Sequence, residues 1–186
     1  MNDNKMGDRV KDYKWEYNLV NDKTVNAWCM PGGKVVVYSG ILPLTQDETG
    51  LAVVMGHEIA HAVAGHGNER MSQMLAVQAV GMGVDYYLQT NQKESRDMLM
   101  TAYGAGSTLG ILAYSRLQES EADKLGLIFM AMAGYDPNSA VGFWQRMAAQ
   151  GGAKPPEFLS THPSDDRRIR DIQKYMPQAM KYYAKK

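Results

Sequence analysis

His57, Glu58 and His61 stand in the order His-Glu-Ile-Ala-His, a spacing that specifies a metal site on a helix. Residues i and i+4 of an α-helix lie one above the other on the same face, so two imidazoles can share one Zn²⁺ through neutral ring nitrogens. Glu58 is one step round the helix, off the ligand face, where it can take a proton from an attacking water. The plainer alternative is a pair of surface histidines on an ordinary helix. The neighbours argue against it. Leu51, Ala52, Val53, Val54, Met55, Ile59, Ala60, Ala62 and Val63 make the helix apolar around most of its circumference, which marks a core helix. Buried imidazoles and a carboxylate are costly there without a cation or strong partners. Thr45 and Glu48 read as a capping box that starts the helix, and Gly65 with Gly67 as its stop.

Two histidines leave a catalytic zinc one protein ligand short. Residues 115–123, Ser-Arg-Leu-Gln-Glu-Ser-Glu-Ala-Asp, begin a second apolar helix and supply Glu119 and Asp123 on one face. Glu119 is read as the ligand, and Asp123 as the group that accepts the spare N–H of a ligand histidine. Glu121 points roughly the opposite way, toward solvent. The competing reading of this segment is an acidic outer helix face. His66, five residues past His61, is off the ligand face and is expected in solvent.

The motif HEIAH followed by SRxxExEADxxG resembles the Ste/HtpX/Oma-type zinc metallopeptidases, whose compact core is called a minigluzincin. The resemblance is nearest to the soluble bacterial envelope branch that includes the BepA and LoiP proteases. It extends over residues 25–40 before the motif and over Thr161-His162-Pro163 with Arg168-Ile169 after it, so that about residues 25–172 follow the family order. The resemblance implies one zinc per chain on His57, His61 and Glu119, with Glu58 as general base. In its Thr-His-Pro context, His162 is an extra zinc ligand, a donor to the tetrahedral oxyanion, or a turn histidine capping the last helix. Arg168 pairs with an acid of the metal site, donates to the oxyanion, or lies on a helix surface. The residues leave these roles open.

The remaining punctuation places the other elements. Residues 1–12 are polar and expected to fray. Residues 13–20 alternate Trp15, Tyr17 and Leu19 as a strand, and 25–30 with 34–39 form a hairpin about Pro31-Gly32-Gly33. Residues 70–89 and 94–107 read as separate helices, with Gly104, Gly106 and Gly110 marking close packing or a break. Asp136 and Pro137 open a helix to about residue 150, residues 151–156 are a loop, and Ser164 caps a basic final helix. The 14 methionines read as adaptable core filling and Cys29 as a small apolar strand residue. The fold expected is α+β, mostly α, a single metallopeptidase domain over 1–186 with a small sheet beside the metal helix.

Twenty basic and twenty acidic side chains cancel, which gives no net field for nucleic acid or anionic lipid. There is no run of eighteen apolar residues, so no transmembrane segment is expected. No signal peptide shows at Met1; since the resembled envelope proteins are exported, a periplasmic enzyme with its leader removed is expected, with room for a membrane tether in a longer form and a cytoplasmic enzyme as the alternative. The oligomeric state is left open. The activity expected is a zinc endopeptidase acting on unfolded protein or peptide, with the strand at 34–39 on the cleft rim pairing with substrate. Two alternatives are a latent zinc-bound chaperone or adaptor plugged by His162, and a zinc hydrolase of small amides or esters.

Overall fold

The computed structural model describes residues 7, 8, 10–150, 156–163 and 166–184. The chain separates into two compact units, one made of residues 1–65 and 119–186, the other of residues 66–118. The α+β, mostly α architecture expected from the sequence is found.

Unit one begins with a three-stranded sheet of order β1-β3-β2: β1 (Glu16–Val20), β2 (Ala27–Met30) and β3 (Lys34–Tyr38). The hairpin forms where Pro31-Gly32-Gly33 predicts it. Gly32 and Gly33 take φ of +94° and +90°, a region that side chains resist, and Gly33 N donates to Met30 O at 3.1 Å. Val35, Val36 and Val37 are all buried, as a strand covered on both faces requires. Two expectations change here. Strand β1 is exposed along its length, so the Trp15/Tyr17/Leu19 alternation buries no face. And β3 is the central strand, paired in parallel with β1 and antiparallel with β2, so the rim strand expected at 34–39 has no edge to offer. The edges are β1 and β2, and β2 packs on the metal helix.

The helix start also differs. Pro43 sets up a short helix, α1 (Leu42–Thr45), in which the Thr45 hydroxyl donates back to Leu42 O. Gln46 then takes a φ of +68°, and the chain resets so that Asp47, not Thr45, caps α2 (Glu48–Ala64): its carboxylate accepts from Gly50 N at 2.8 Å. Glu48 instead accepts from Tyr135 Oη. At the far end Gly65, φ +82°, closes α2 as expected, whereas Gly67 lies inside the next helix.

That next helix, α3 (His66–Asn91), and the first part of α4 (Arg96–Met132) make up unit two. Where two helices were expected from 94 to past 115, α4 runs unbroken. A glycine costs a helix about 1 kcal/mol, too little to stop one built otherwise of Met, Leu, Ile and Ala. A Cβ at Gly104, Gly106 or Gly110 would meet nothing within 4 Å, so these glycines serve no close packing either. From Glu119 onward α4 belongs to unit one.

The crossing of α2 and α4 in unit one is very close. A Cβ on Gly126 would lie 2.9 Å from His57 N, and one on Gly56 would lie 2.8 Å from Gly126 O. These two glycines let the backbones carrying His57 and Asp123 meet, which accounts for the glycine three residues after that aspartate. Helix α5 (Ser139–Ala149) starts two residues later than expected because Asp136 first closes a turn on Asn138 N. Short α6 (Glu157–Thr161) and α7 (Asp166–Ala179) complete the unit around Ile41, Val54, Phe143, Trp144, Phe158 and Ile172. The cap expected at Ser164 and the loop at 151–155 lie outside the described residues.

Candidate metal centre

Helix α2 places His57 and His61 one turn apart, with their Nε2 atoms 3.1 Å from each other. Helix α4 brings Glu119 across from them: one carboxylate oxygen lies 3.2 Å from His61 Nε2 and the other 3.4 Å from His57 Nε2. The third contributor is α6. Its Phe158 N donates to Val25 O just ahead of β2, and the residue that ends it, His162, donates its own N–H to Phe158 O. His162 Nδ1 is thereby held 3.1 Å from His57 Nε2 and 3.0 Å from both Glu119 oxygens. Among the described residues, His57, His61, Glu119 and His162 form a group whose ligand atoms all lie within 4.8 Å of one another.

The donor set fits a tetrahedral cation. Zinc–ligand bonds of about 2.0–2.2 Å put neighbouring donors roughly 3.3–3.6 Å apart. The separations above run from 3.0 to 3.4 Å. His57 sharpens the argument. Its Nδ1 lies 3.0 Å from Asp123 Oδ1, so the proton of a neutral ring sits there and Nε2 turns a lone pair toward two other imidazole nitrogens and a carboxylate. Lone pairs converging in a buried site call for a positive charge.

The electrostatics agree. Burial opposes charge on His57, yet hydrogen bonds to Asp123 and Glu119 outweigh it and raise its pKa to about 9. Burial lowers His61 to about 3. Burial would also raise Glu119, but hydrogen bonds from His162, His57 and His61 hold it well below the usual carboxylate range. Asp123 stays low against its burial because Arg168 and His57 face it. Two ionised carboxylates thus wait around a site where a proton or a cation is wanted.

Glu58 is buried and its Oε1 has no hydrogen-bond partner; His162 Nε2 lies 3.4 Å away, outside hydrogen-bond geometry. Burial pushes its pKa up, and the nearby His162 and His57 offset this only in part. Arg168, which the sequence left open between surface and site, is buried. Its Nε and one terminal nitrogen grip both Asp123 oxygens at 2.8 and 2.7 Å, the other donates to Pro163 O at 3.0 Å, and the guanidinium carbon stacks 3.5 Å above the Trp144 ring. It therefore ties the residue after His162 to the acid behind His57.

Two solvent assignments are corrected. His66 is buried, as the first residue of α3, and is not in the four-residue group. Glu121 is half-buried. His66 opens α3 and Glu121 lies well inside α4; both depend on what packs against that position, which local spacing does not carry. Trp144, the stacking partner of Arg168, was not read as a site residue, and nothing in its Phe143-Trp144 surroundings distinguishes it from core.

A histidine pair on a buried helix, a carboxylate from a second helix and a buried glutamate beside them form a candidate metal site of the kind metallopeptidases use. The chain belongs to peptidase family M48, whose model matches residues 6–176. It is 41% identical over 172 residues to the mitochondrial metalloendopeptidase OMA1 of Schizosaccharomyces pombe, covering 91% of this chain and 49% of that protein. It is 31% identical over 189 residues to the mitochondrial metalloendopeptidase OMA1 of Homo sapiens, covering 92% and 34%. With the beta-barrel assembly-enhancing protease of Yersinia pestis the identity is 32% over 162 residues, covering 84% and 33%. The chain thus spans between about a third and a half of the length of the curated relatives it matches.

Proposed function

We propose that the chain is the catalytic domain of a zinc endopeptidase that cleaves unfolded or misassembled proteins in quality control of the bacterial cell envelope. The observation that carries this reading is the buried Glu58, whose Oε1 accepts no hydrogen bond, beside a four-donor group. His57, His61 and Glu119 are the residues that would hold one zinc. When bound, zinc would polarise the substrate carbonyl and acidify water. Glu58 takes the proton of the attacking water and returns it to the leaving amine; its upward-shifted pKa suits a group that must hold that proton between the two steps. Asp123 fixes the His57 tautomer and Arg168 fixes Asp123.

Substrate is held as a strand against β2. Tyr38 N donates to Asn26 O, and the alternation of an antiparallel ladder then turns the backbone of Cys29 to the outer edge. The Cys29 thiol, pushed up to about 12 by burial and by the Glu58 charge, marks how near that edge runs to the base. Pairing of this kind reads backbone more than side chain, which suits unfolded substrates. Among the described residues no helix is long and apolar enough to cross a membrane. The envelope assignment rests on the family branch and is checked by fractionating cells that express the full-length protein.

Asp123→Asn keeps the shape but accepts poorly from His57 Nδ1, and is expected to weaken zinc affinity about 10–100-fold without abolishing binding. Competition with a chromophoric chelator measures it. His162 fills the place that an attacking water needs, which favours a resting enzyme that is held back, and a latent chaperone or adaptor as the second reading. His162→Ala is expected to raise basal cleavage of casein. A fall of about 10²–10³-fold would instead make His162 the oxyanion donor, and high resting activity of the unaltered protein would remove the latent reading.

A further inference from the structure

We propose that the helical hairpin of residues 66–118 docks into a lipid bilayer, embedding its middle in the apolar layer without crossing it. Residues 71–84 and 98–115 carry no charged side chain; every charge of the hairpin falls in 66–70, 85–97 or at Arg116. At 1.5 Å per residue the two charge-free runs are about 21 and 27 Å long. The hairpin is antiparallel, since Tyr114 Oη and Gln118 Nε2 reach Glu69 at one end while Arg96 pairs with Asp85 at the other. A charge-free belt therefore lies between two charged ends.

The helices meet along one narrow seam. Tyr103 Oη donates to Val77 O at 2.6 Å, and the Tyr103 ring would touch a Cβ on Gly81. The half-buried positions of α4 here recur every fourth residue, at Tyr103, Ser107, Ile111 and Ser115. The large apolar residues lie elsewhere. Met71, Leu75 and Met82 sit on the back of α3, and Met98, Leu109 and Leu112 on the back of α4, each more than half exposed. The backs of two paired helices are opposite faces of the hairpin. One flat protein partner covers one of them and leaves the other wet, whereas a surrounding apolar medium covers both.

The hydroxyls in the belt are prepared for such a medium. Ser72 donates to Asn68 O, Thr101 to Asp97 O, and both Ser107 and Thr108 to Gly104 O, so each is satisfied within its own helix and enters a region without water at low cost. Tyr86 and Tyr87 stand at the edge of the belt, where a ring with one polar end suits the headgroup boundary. Arg70, Lys93, Arg96 and Arg116 are balanced by Glu69, Asp85, Glu94 and Asp97. Attraction to anionic lipid is thus not the driving force, and binding to neutral lipid should survive high salt.

Flotation with phosphatidylcholine vesicles on a density gradient tests this. The unaltered protein is expected to rise with the vesicles in both low and high salt. The combined variant Met82→Glu, Leu109→Glu, Leu112→Glu is expected to partition at least about 100-fold less, while cleaving casein in vesicle-free solution as the unaltered protein does. Leu109→Trp, an apolar change that keeps the fold, is expected to add fluorescence quenched by brominated lipid. Failure of the unaltered protein to float, undiminished flotation of the triple variant, or an added indole signal that brominated lipid leaves unquenched overturns the proposal. So does self-association without lipid that the triple variant abolishes, since a second copy would then cover the hairpin. Because cleavage is read separately, failure of the lipid proposal leaves the endopeptidase reading intact.

Discussion

Glu58→Gln is expected to keep its metal and lose its activity. The side chain is nearly isosteric, and Glu58 stands outside the four-donor group, so zinc content should match that of the unaltered protein. A carboxamide cannot take up and return a proton, and general acid–base catalysis contributes about 10²–10⁴-fold, so cleavage of casein should fall by that factor or to background. Metal analysis and a cleavage assay on the same preparation separate the two effects. Equal turnover in the variant would remove Glu58 from the base role and take the peptidase reading with it, because no other buried carboxylate oxygen lacks a hydrogen bond among the described residues.

Glu119→Ala should do the reverse. It removes the only carboxylate of the four-donor group and leaves three imidazoles without the negative charge that favours a dication. Zinc recovered with the purified protein should drop from near one per chain to a small fraction, and activity should go with it. Retained zinc at the original affinity would move the third ligand away from Glu119. The two substitutions sit on different helices and act on different steps, so the pair tests binding and chemistry independently.

How much of this site the sequence carried depends on how local each relationship is. His57 and His61 form a site by helix geometry alone, and Glu119 with Asp123 repeat the same four-residue spacing. The glycines at 32 and 33 announce their turn for an equally local reason. The capping pattern Thr45-x-x-Glu48 misled because Pro43 had already started a separate turn, which spent Thr45 and passed the cap to Asp47. Strand order is not local: whether residues 34–38 lie at the centre or the edge depends on where 16–20 return, and nothing in either stretch states it. Arg168 was legible as a candidate, but its grip on Asp123 and its seat on Trp144 join three separate helices, and no spacing rule spans them. The burial of His66 and Glu121 was missed for the same reason.

All four potential donors, the proposed base and the groups proposed to orient them come from residues 57–61, 119–123 and 162–168, and none from 66–118. The segment between His66 and Gln118 is therefore chemically silent, and mutation can rework it without touching a reacting atom. On the lipid-docking proposal, selection on where such an enzyme resides and selection on what bonds it breaks act on different stretches of one gene. A lineage can change its address and keep its chemistry, or graft one hairpin in place of another.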